Sequence, residues 1–331
     1  MKKNNLPYLF LCLFLSISLT ACNEAKEKKS EEAAEATTTK SEEPFFKISL
    51  AQWSLNEPFE SGEIDPMDFP EMARERGFEG VEYVSQLYMK KYVNAEDPKA
   101  AFQAMLDTLK AKSQEFKLQN VLIMVDEEGD LASSNETKRN QAVENHKKWV
   151  DAAQFLGCHS IRVNLFGSED PEDWKENSID GLRKLSEYAA TKNINVLVEN
   201  HGYLSSNARL LAEVMEEVNL PNCGTLPDFG NFCLRREGGD LWDTPCVEEY
   251  PKYQGIEELM PYAKAVSAKS YNFNEEGQET TIDYARMLKM VKDAGYTGWI
   301  GIEYEGPAEA TEEGINATRA LLIEEGSKLN N

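Results

Sequence analysis

Four ionisable residues in the second half of the chain stand at comparable places, each closing a short apolar run. They are Glu199 after Val196-Leu197-Val198, Asp228 after Thr225-Leu226-Pro227, Lys269 after Val266-Ser267-Ala268, and Glu303 after Ile300-Gly301-Ile302. An apolar run ending in a charge reads as a buried strand that delivers one polar group at its C-terminal tip. Three carboxylates gathered this way repel one another unless a cation, a raised pKa or a bound metal compensates. Ligation by Glu199, Asp228 and Glu303 through oxygen alone suits Mg²⁺ or Mn²⁺ better than Zn²⁺. Such an ion polarises a carbonyl and its neighbouring hydroxyl while a carboxylate moves a proton between carbons. Lys269 offers a second source of positive charge, neutralising the acids or stabilising an enolate oxygen.

Companions of this quartet follow from strand alternation, since side chains two residues apart share a face. His201 faces the same way as Glu199, where it hydrogen-bonds a substrate hydroxyl and donates a proton, or else only orients Glu199. Tyr271 shares the face of Lys269, and Glu305 that of Glu303. Arg162 and Asn164 on the fourth strand are placed to bind substrate oxygens or to neutralise Glu199. Trp53 has the parity of Ala51 and Leu55 and either stacks on an apolar face of the substrate or packs in the core. Asn231 and Glu82 complete the candidate substrate-binding set. The remaining two histidines, His146 in a helical pattern and His159 at the start of a strand, read as structural.

The elements that must position these groups alternate regularly. Eight strand candidates run at 48–55, 80–85, 120–125, 160–166, 195–201, 225–228, 266–273 and 299–304, with amphipathic stretches between them. Asp97-Pro98 and Asp170-Pro171 each read as an N-cap followed by proline at the first helical position. Gly77, Gly157 and Gly295 suit left-handed helix ends. Arg76-Gly77-Phe78-Glu79-Gly80-Val81-Glu82 and Ala294-Gly295-Tyr296-Thr297-Gly298-Trp299-Ile300 are two copies of one helix-to-strand connection. Eight such units without a glycine-rich dinucleotide loop predict an α/β fold, a (β/α)8 barrel, with its chemistry at the C-terminal strand ends. The longest connection on that face, Phe232 to Tyr253, reads as a lid whose Trp242 and Tyr250 reach substrate.

The barrel is expected over 47–331 as a single domain. Ahead of it, Met1-Lys2-Lys3 and the apolar run Leu6 to Leu19 form a signal-peptide pattern over 1–21. Leu19-Thr20-Ala21-Cys22 resembles a bacterial lipobox, which predicts lipidation of Cys22. Residues 22–46, rich in Glu, Lys, Ala and Thr, read as a disordered tether. The expected location is therefore the cell envelope, with the membrane engaged through a lipid anchor only. Cys233 and Cys246 share one long loop and either pair in an oxidising compartment or remain separate thiols. The 331 residues carry 35 basic and 58 acidic side chains, a formal charge of −23, which argues against nucleic acid as a partner.

Val198-Glu199-Asn200-His201-Gly202, Leu226-Pro227-Asp228-Phe229-Gly230-Asn231 and Ile302-Glu303-Tyr304-Glu305-Gly306, in that order, resemble the xylose isomerase-like TIM barrel superfamily. The resemblance spans about Ile48 to Leu322. It implies a divalent metal held by Glu199, Asp228 and Glu303, with the two glutamates also shuttling the proton. Two positions depart from the pattern: serine (Ser267) and asparagine (Asn231) stand where the family places histidines. The scarcity of histidine sets the chain apart from the endonuclease branch of the superfamily. Loops 274–277 and 306–309, which would hold a phosphate in many barrels, are acidic here, so the expected partner is an unphosphorylated small-molecule carbohydrate. The leading expectation is an isomerase or epimerase that abstracts a proton next to a carbonyl. The alternatives are a lyase or hydrolase of oxidised (3-keto) glycosides on the same site, and a non-catalytic sugar-binding lipoprotein with a degenerate metal site.

Overall fold

The structure is a computed structural model and describes residues 43–242 and 244–330; the signal-peptide pattern, Cys22 and most of the tether stretch lie outside the described residues. Ten strands are formed among them: β1 (Lys47–Ala51), β2 (Gly80–Val84), β3 (Gln119–Val125), β4 (Ser160–Val163), β5 (Asn195–Glu199), β6 (Cys223–Leu226), β7 (Cys233–Arg236), β8 (Cys246–Glu249), β9 (Val266–Ser270) and β10 (Trp299–Tyr304). Eight make one parallel sheet in the order β6-β5-β4-β3-β2-β1-β10-β9. Single parallel bridges, Thr225 to Ala263 and Asp228 to Ser267, link β6 and β9 through the residues flanking them and nearly close the barrel. The helices are α1 (Asn56–Ser61), α2 (Phe69–Glu75), α3 (Pro98–Glu115), α4 (Glu136–Leu156), α5 (Pro171–Ala190), α6 (Ala208–Val218), α7 (Lys252–Leu259), α8 (Tyr284–Asp293) and α9 (Thr311–Lys328). None is long and apolar enough to cross a membrane.

Local chemistry accounts for the element boundaries. The side chain of Asp97 accepts from the Ala100 backbone amide, and that of Asp170 from Glu172 and Asp173, each ahead of a proline that donates no amide hydrogen. These caps satisfy orphan donors of the first helical turn. Gly157 ends α4 in the left-handed conformation at φ 82°. Residues of the eight barrel strands are mostly buried on both faces, against the helices outside and one another inside, so these strands are largely apolar runs broken by a few buried polar groups such as Glu82, Arg162 and Lys269.

Several strands stop short of their expected ends. β1 gives way to a 3-10 turn over 52–55, β4 stops at Val163 instead of 166, β5 at Glu199 instead of 201, and β9 at Ser270 instead of 273. Beyond the rim a strand has no partner to satisfy its amides, so the chain turns into loop. At the other end the packed chain begins slightly before Lys47: Phe46 is 5% exposed and packs in the core, two residues after Pro44, which lies against Gly326.

The expected lid is a separate antiparallel hairpin, β7 with β8. Cys233 and Cys246 are disulfide-bonded across it, with Cα atoms 5.8 Å apart, which settles the alternative left open by the sequence.

Candidate active site

The tips of β5, β9 and β10, with the residues just past β6, converge on one charged cluster. Glu303 Oε1 accepts from Lys269 Nζ at 2.7 Å. Lys269 also lies 3.1 Å from Glu305 and 3.9 Å from Asp228. Ser267 Oγ donates to Asp228 Oδ2 at 2.6 Å and lies 3.3 Å from Glu303 Oε2. The other oxygen of Asp228 accepts from the backbone amides of Gly230 and Asn231. Asn231 Nδ2 donates to Glu199 Oε1 at 2.9 Å. Glu199 Oε2 lies 2.8 Å from Arg162 Nε, but off the N–H direction, so the two are ion-paired while neither makes a hydrogen bond.

Burial sets the protonation of this cluster. Lys269 and Asp228 are fully buried, and Glu199 and Glu303 nearly so. Burial raises the pKa of Glu199, with Glu303 and Asp228 adding repulsion that Arg162 and Lys269 only partly offset; it is pushed up to about 8. Asp228 is pushed up to about 6 by burial and Glu303, against the pull of Lys269, Ser267 and Gly230. Burial acts the same way on Glu303, but there Lys269, in contact, and Arg162 outweigh it, and its pKa is lowered. The result is an ionised Glu303 beside a more easily protonated Glu199, the divergence that separates a base from an acid.

A second chain of hydrogen bonds runs along the rim. Asp126, just past β3, accepts from Arg162 Nη1 at 2.9 Å and from Asn164 Nδ2 at 2.6 Å. Because the Asn164 amide donates to Asp126, its oxygen faces His201 and accepts from Nδ1 at 2.8 Å. The proton of His201 is thereby placed on Nδ1 and a lone pair on Nε2. Burial, with the charges of Arg162 and Lys269, lowers the His201 pKa to about 3, so the ring is neutral. On the opposite side Trp53 Nε1 donates to Glu305 Oε1 at 2.7 Å and holds that carboxylate toward Lys269.

Above these groups opens a cavity of about 970 Å³. Of the residues expected from sequence, Glu303, His201, Arg162, Asn164, Asn231, Tyr271 and Trp53 line it. Glu199, Asp228 and Lys269 do not; they lie one layer below, with Asn231 and Arg162 drawn over Glu199. Glu82 is deeper still, 1% exposed in the barrel interior, where Ser49 Oγ donates to it at 2.6 Å. A Cβ on Gly301 would come within 2.5 Å of both Glu82 oxygens, so glycine in β10 makes room for this acid. Tyr250 is outside the lining; its hydroxyl donates to Glu258 at 2.7 Å. Sequence reasoning missed two contributors. His146, read as structural, is 3% exposed on α4 with Nδ1 held by the Ala142 carbonyl of its own helix at 2.7 Å, and it lies at the edge of the cavity wall. Asp126, the anchor of the rim chain, carried the signal of a strand-end acid but was given no role.

Two acids of the lower layer and Glu303 of the cavity wall form a set that could hold a divalent cation. Glu199, Asp228 and Glu303 offer carboxylate oxygens that all lie within 4.8 Å of one another. The set contains only oxygen donors, and protein cations already meet it: Lys269 lies 2.7 Å from Glu303 and 3.9 Å from Asp228, and Arg162 Nε lies 2.8 Å from Glu199 Oε2. The serine at 267 supplies no metal-binding nitrogen, and it is instead spent on tying Asp228 to Glu303.

Comparison with known proteins places this geometry. Residues 70–321 match the family described as xylose isomerase-like TIM barrel. The chain is 25% identical over 175 residues to 2-oxo-tetronate isomerase of Pectobacterium atrosepticum, covering 50% of this chain and 62% of that one. It is 40% identical over 48 residues, 14% of either chain, to the 3'-dehydrocarminate deglycosidase alpha subunit of a Microbacterium species. It thus spans less than two thirds of the length of these curated relatives. In structure it resembles the Escherichia coli 3-keto-D-glucoside 4-epimerase with a TM-score of 0.61 and 16% identity, over 83% of this chain and 99% of that one. With more than half of its length matched and all eight barrel strands in place, the chain belongs to the xylose isomerase-like TIM barrel family.

Proposed function

We propose that this protein is an enzyme that isomerises or epimerises an unphosphorylated sugar by removing a proton next to a carbonyl. The observation that carries the reading is Glu303: an ionised carboxylate held by Lys269 that opens onto the cavity a neutral histidine also lines. A substrate hydroxyl donates to His201 Nε2, and the rim chain through Asn164 keeps that nitrogen unprotonated. In isomerisation Glu303 takes the proton from one carbon and returns it to the neighbouring carbon on the same face; in epimerisation Glu303 takes the proton and solvent water on the opposite face supplies the new one. Glu199, Asp228 and Glu303 would hold the cation, Mn²⁺ or Mg²⁺, which when bound supplies polarisation of the carbonyl and adjacent hydroxyl. Glu199, lying behind Asn231, serves that charge balance rather than touching substrate.

The absence of phosphate from the substrate is supported by the arginines of the cavity wall, each already engaged. Arg162 is paired with Asp126 and Glu199, Arg76 with Glu312, and Arg236 with the Thr244 carbonyl. A second reading, elimination or hydrolysis of a 3-keto glycoside, uses the same proton abstraction. It is favoured by the size of the cavity and by the similarity to a deglycosidase subunit. The placement we propose is the cell envelope, through a lipid on Cys22, and a disulfide at Cys233–Cys246 fits an oxidising compartment.

The test is incubation with ketohexoses and with 3-keto-glucosides in D₂O, with and without Mn²⁺, reading deuterium at carbon by NMR. Wild-type protein is expected to incorporate deuterium into at least one, and Glu303→Gln to do so at least about 100-fold more slowly. Normal exchange by the variant would remove Glu303 from its role. No exchange by the wild type into either substrate class would leave the barrel as a binding protein.

A further inference from the structure

Two of the few large apolar side chains exposed among the described residues, Leu241 at 38% and Trp242 at 41%, are adjacent, sit at the tip of hairpin β7–β8, and line the cavity. Trp242 is not loose there. Its ring packs on His201 at 4.7 Å between centroids, inclined by 37°, and meets Phe166 edge-on at 6.0 Å. The backbone that carries it is tied from several directions. The disulfide joins the two strands, Tyr203 Oη shares its proton between the carbonyls of Asp240 at 2.6 Å and Gly239 at 2.9 Å, and Arg236 Nη1 donates to Thr244 O at 2.7 Å. A tryptophan fixed on one face and left open on the other is a stacking surface already ordered before anything binds.

The cavity is therefore mixed in character. Its wall carries polar groups, Glu303, Glu305 and Arg162 among them, and an apolar cluster of Trp242, Leu241 and Phe166. Its volume of about 970 Å³ is at the upper end of the roughly 300–1,000 Å³ usual for small-molecule sites, more than one sugar ring fills. We infer that the hairpin provides an aglycone subsite: Trp242 stacks on the planar, apolar group of a glycoside whose sugar ring lies over Glu303. This deepens the sugar-chemistry reading by naming the substrate class as glycosides bearing an aromatic or comparably flat aglycone. If Trp242 only shielded His201 from water, it would act equally on every sugar.

Binding separates the two without requiring turnover. The full chain is titrated calorimetrically with phenyl β-D-glucopyranoside and with methyl β-D-glucopyranoside, neither of which carries a carbonyl. Wild-type protein is expected to bind the phenyl glucoside at least about tenfold more tightly. Trp242→Ala should bring the two within about twofold, and Trp242→Phe should keep most of the preference. Equal affinity in the wild type, no binding of either, or a preference retained by Trp242→Ala would overturn the subsite. Deuterium exchange with no aryl preference sinks the subsite alone, whereas an aryl preference with no exchange sinks the reaction alone.

Discussion

Lys269→Met is expected to destabilise the fold by about 3–5 kcal/mol, the range for removing one member of a buried ion pair. The structure shows why the cost is large. The ammonium lies 2.7 Å from Glu303 and 3.9 Å from Asp228, and it is fully buried. At an effective dielectric of about 20 these separations correspond to attractions of about 6 and 4 kcal/mol. The third partner, Glu305 at 3.1 Å, is about a third exposed, and solvent screens much of its share. Desolvating the lysine takes back several kcal/mol of this sum, so the intact network adds little to stability. Its removal leaves the acids without that compensation, which is the larger effect. The assay is urea unfolding at pH 7 followed by far-UV circular dichroism. Lys269→Met/Glu303→Gln should recover part of the loss, because the variant removes the charge left unpaired. A single variant within about 1 kcal/mol of wild type, or a double variant that merely adds the two losses, would refute the electrostatic account of the cluster.

Two further outcomes follow from other parts of the chain. Glu82 is fully buried and its pKa is pushed up to about 7 from the ordinary 4.5, mainly by desolvation. Its contribution to stability is thus full below pH 4.5 and lost as pH rises through 7, amounting to about 3 kcal/mol by pH 8. Glu82→Gln should flatten that decline, so that urea midpoints of variant and wild type converge at pH 4.5 and separate at pH 8 in favour of the variant; parallel curves would show that Glu82 is not the group responsible. If Cys22 carries lipid, Cys22→Ala expressed in a bacterial host should lose metabolic labelling by palmitate and leave the membrane fraction, and an unchanged distribution would exclude that anchor.

Much of the site was legible because its signal is local. Apolar runs that close with Glu199, Asp228, Lys269 and Glu303 mark strand tips, and His201, Tyr271 and Glu305, which follow just past the ends of β5, β9 and β10, come to the same mouth. Helix caps at Asp97 and Asp170 are equally local, since a side-chain oxygen meets amides two or three residues away. What stayed hidden depended on depth. Parity tells which face a residue occupies but not how far it lies below the rim, so Glu199 and Glu303 looked equivalent while only Glu303 reaches the cavity. Glu82 differs from them again, enclosed in the barrel interior against Gly301 of β10, across the intervening β1.

The sequence by itself determined the class of barrel, the order of its strands and the identity of the acids at their tips, because hydrophobic period and capping act over a few residues. Only the tertiary structure decided which acid stays ionised, which nitrogen of His201 carries the proton, that Cys233 and Cys246 pair, and that Trp242 leans on His201. Those outcomes rest on contacts between segments from about ten to more than a hundred residues apart, and Coulomb forces, hydrogen bonds and burial there are fixed only when the cylinder closes.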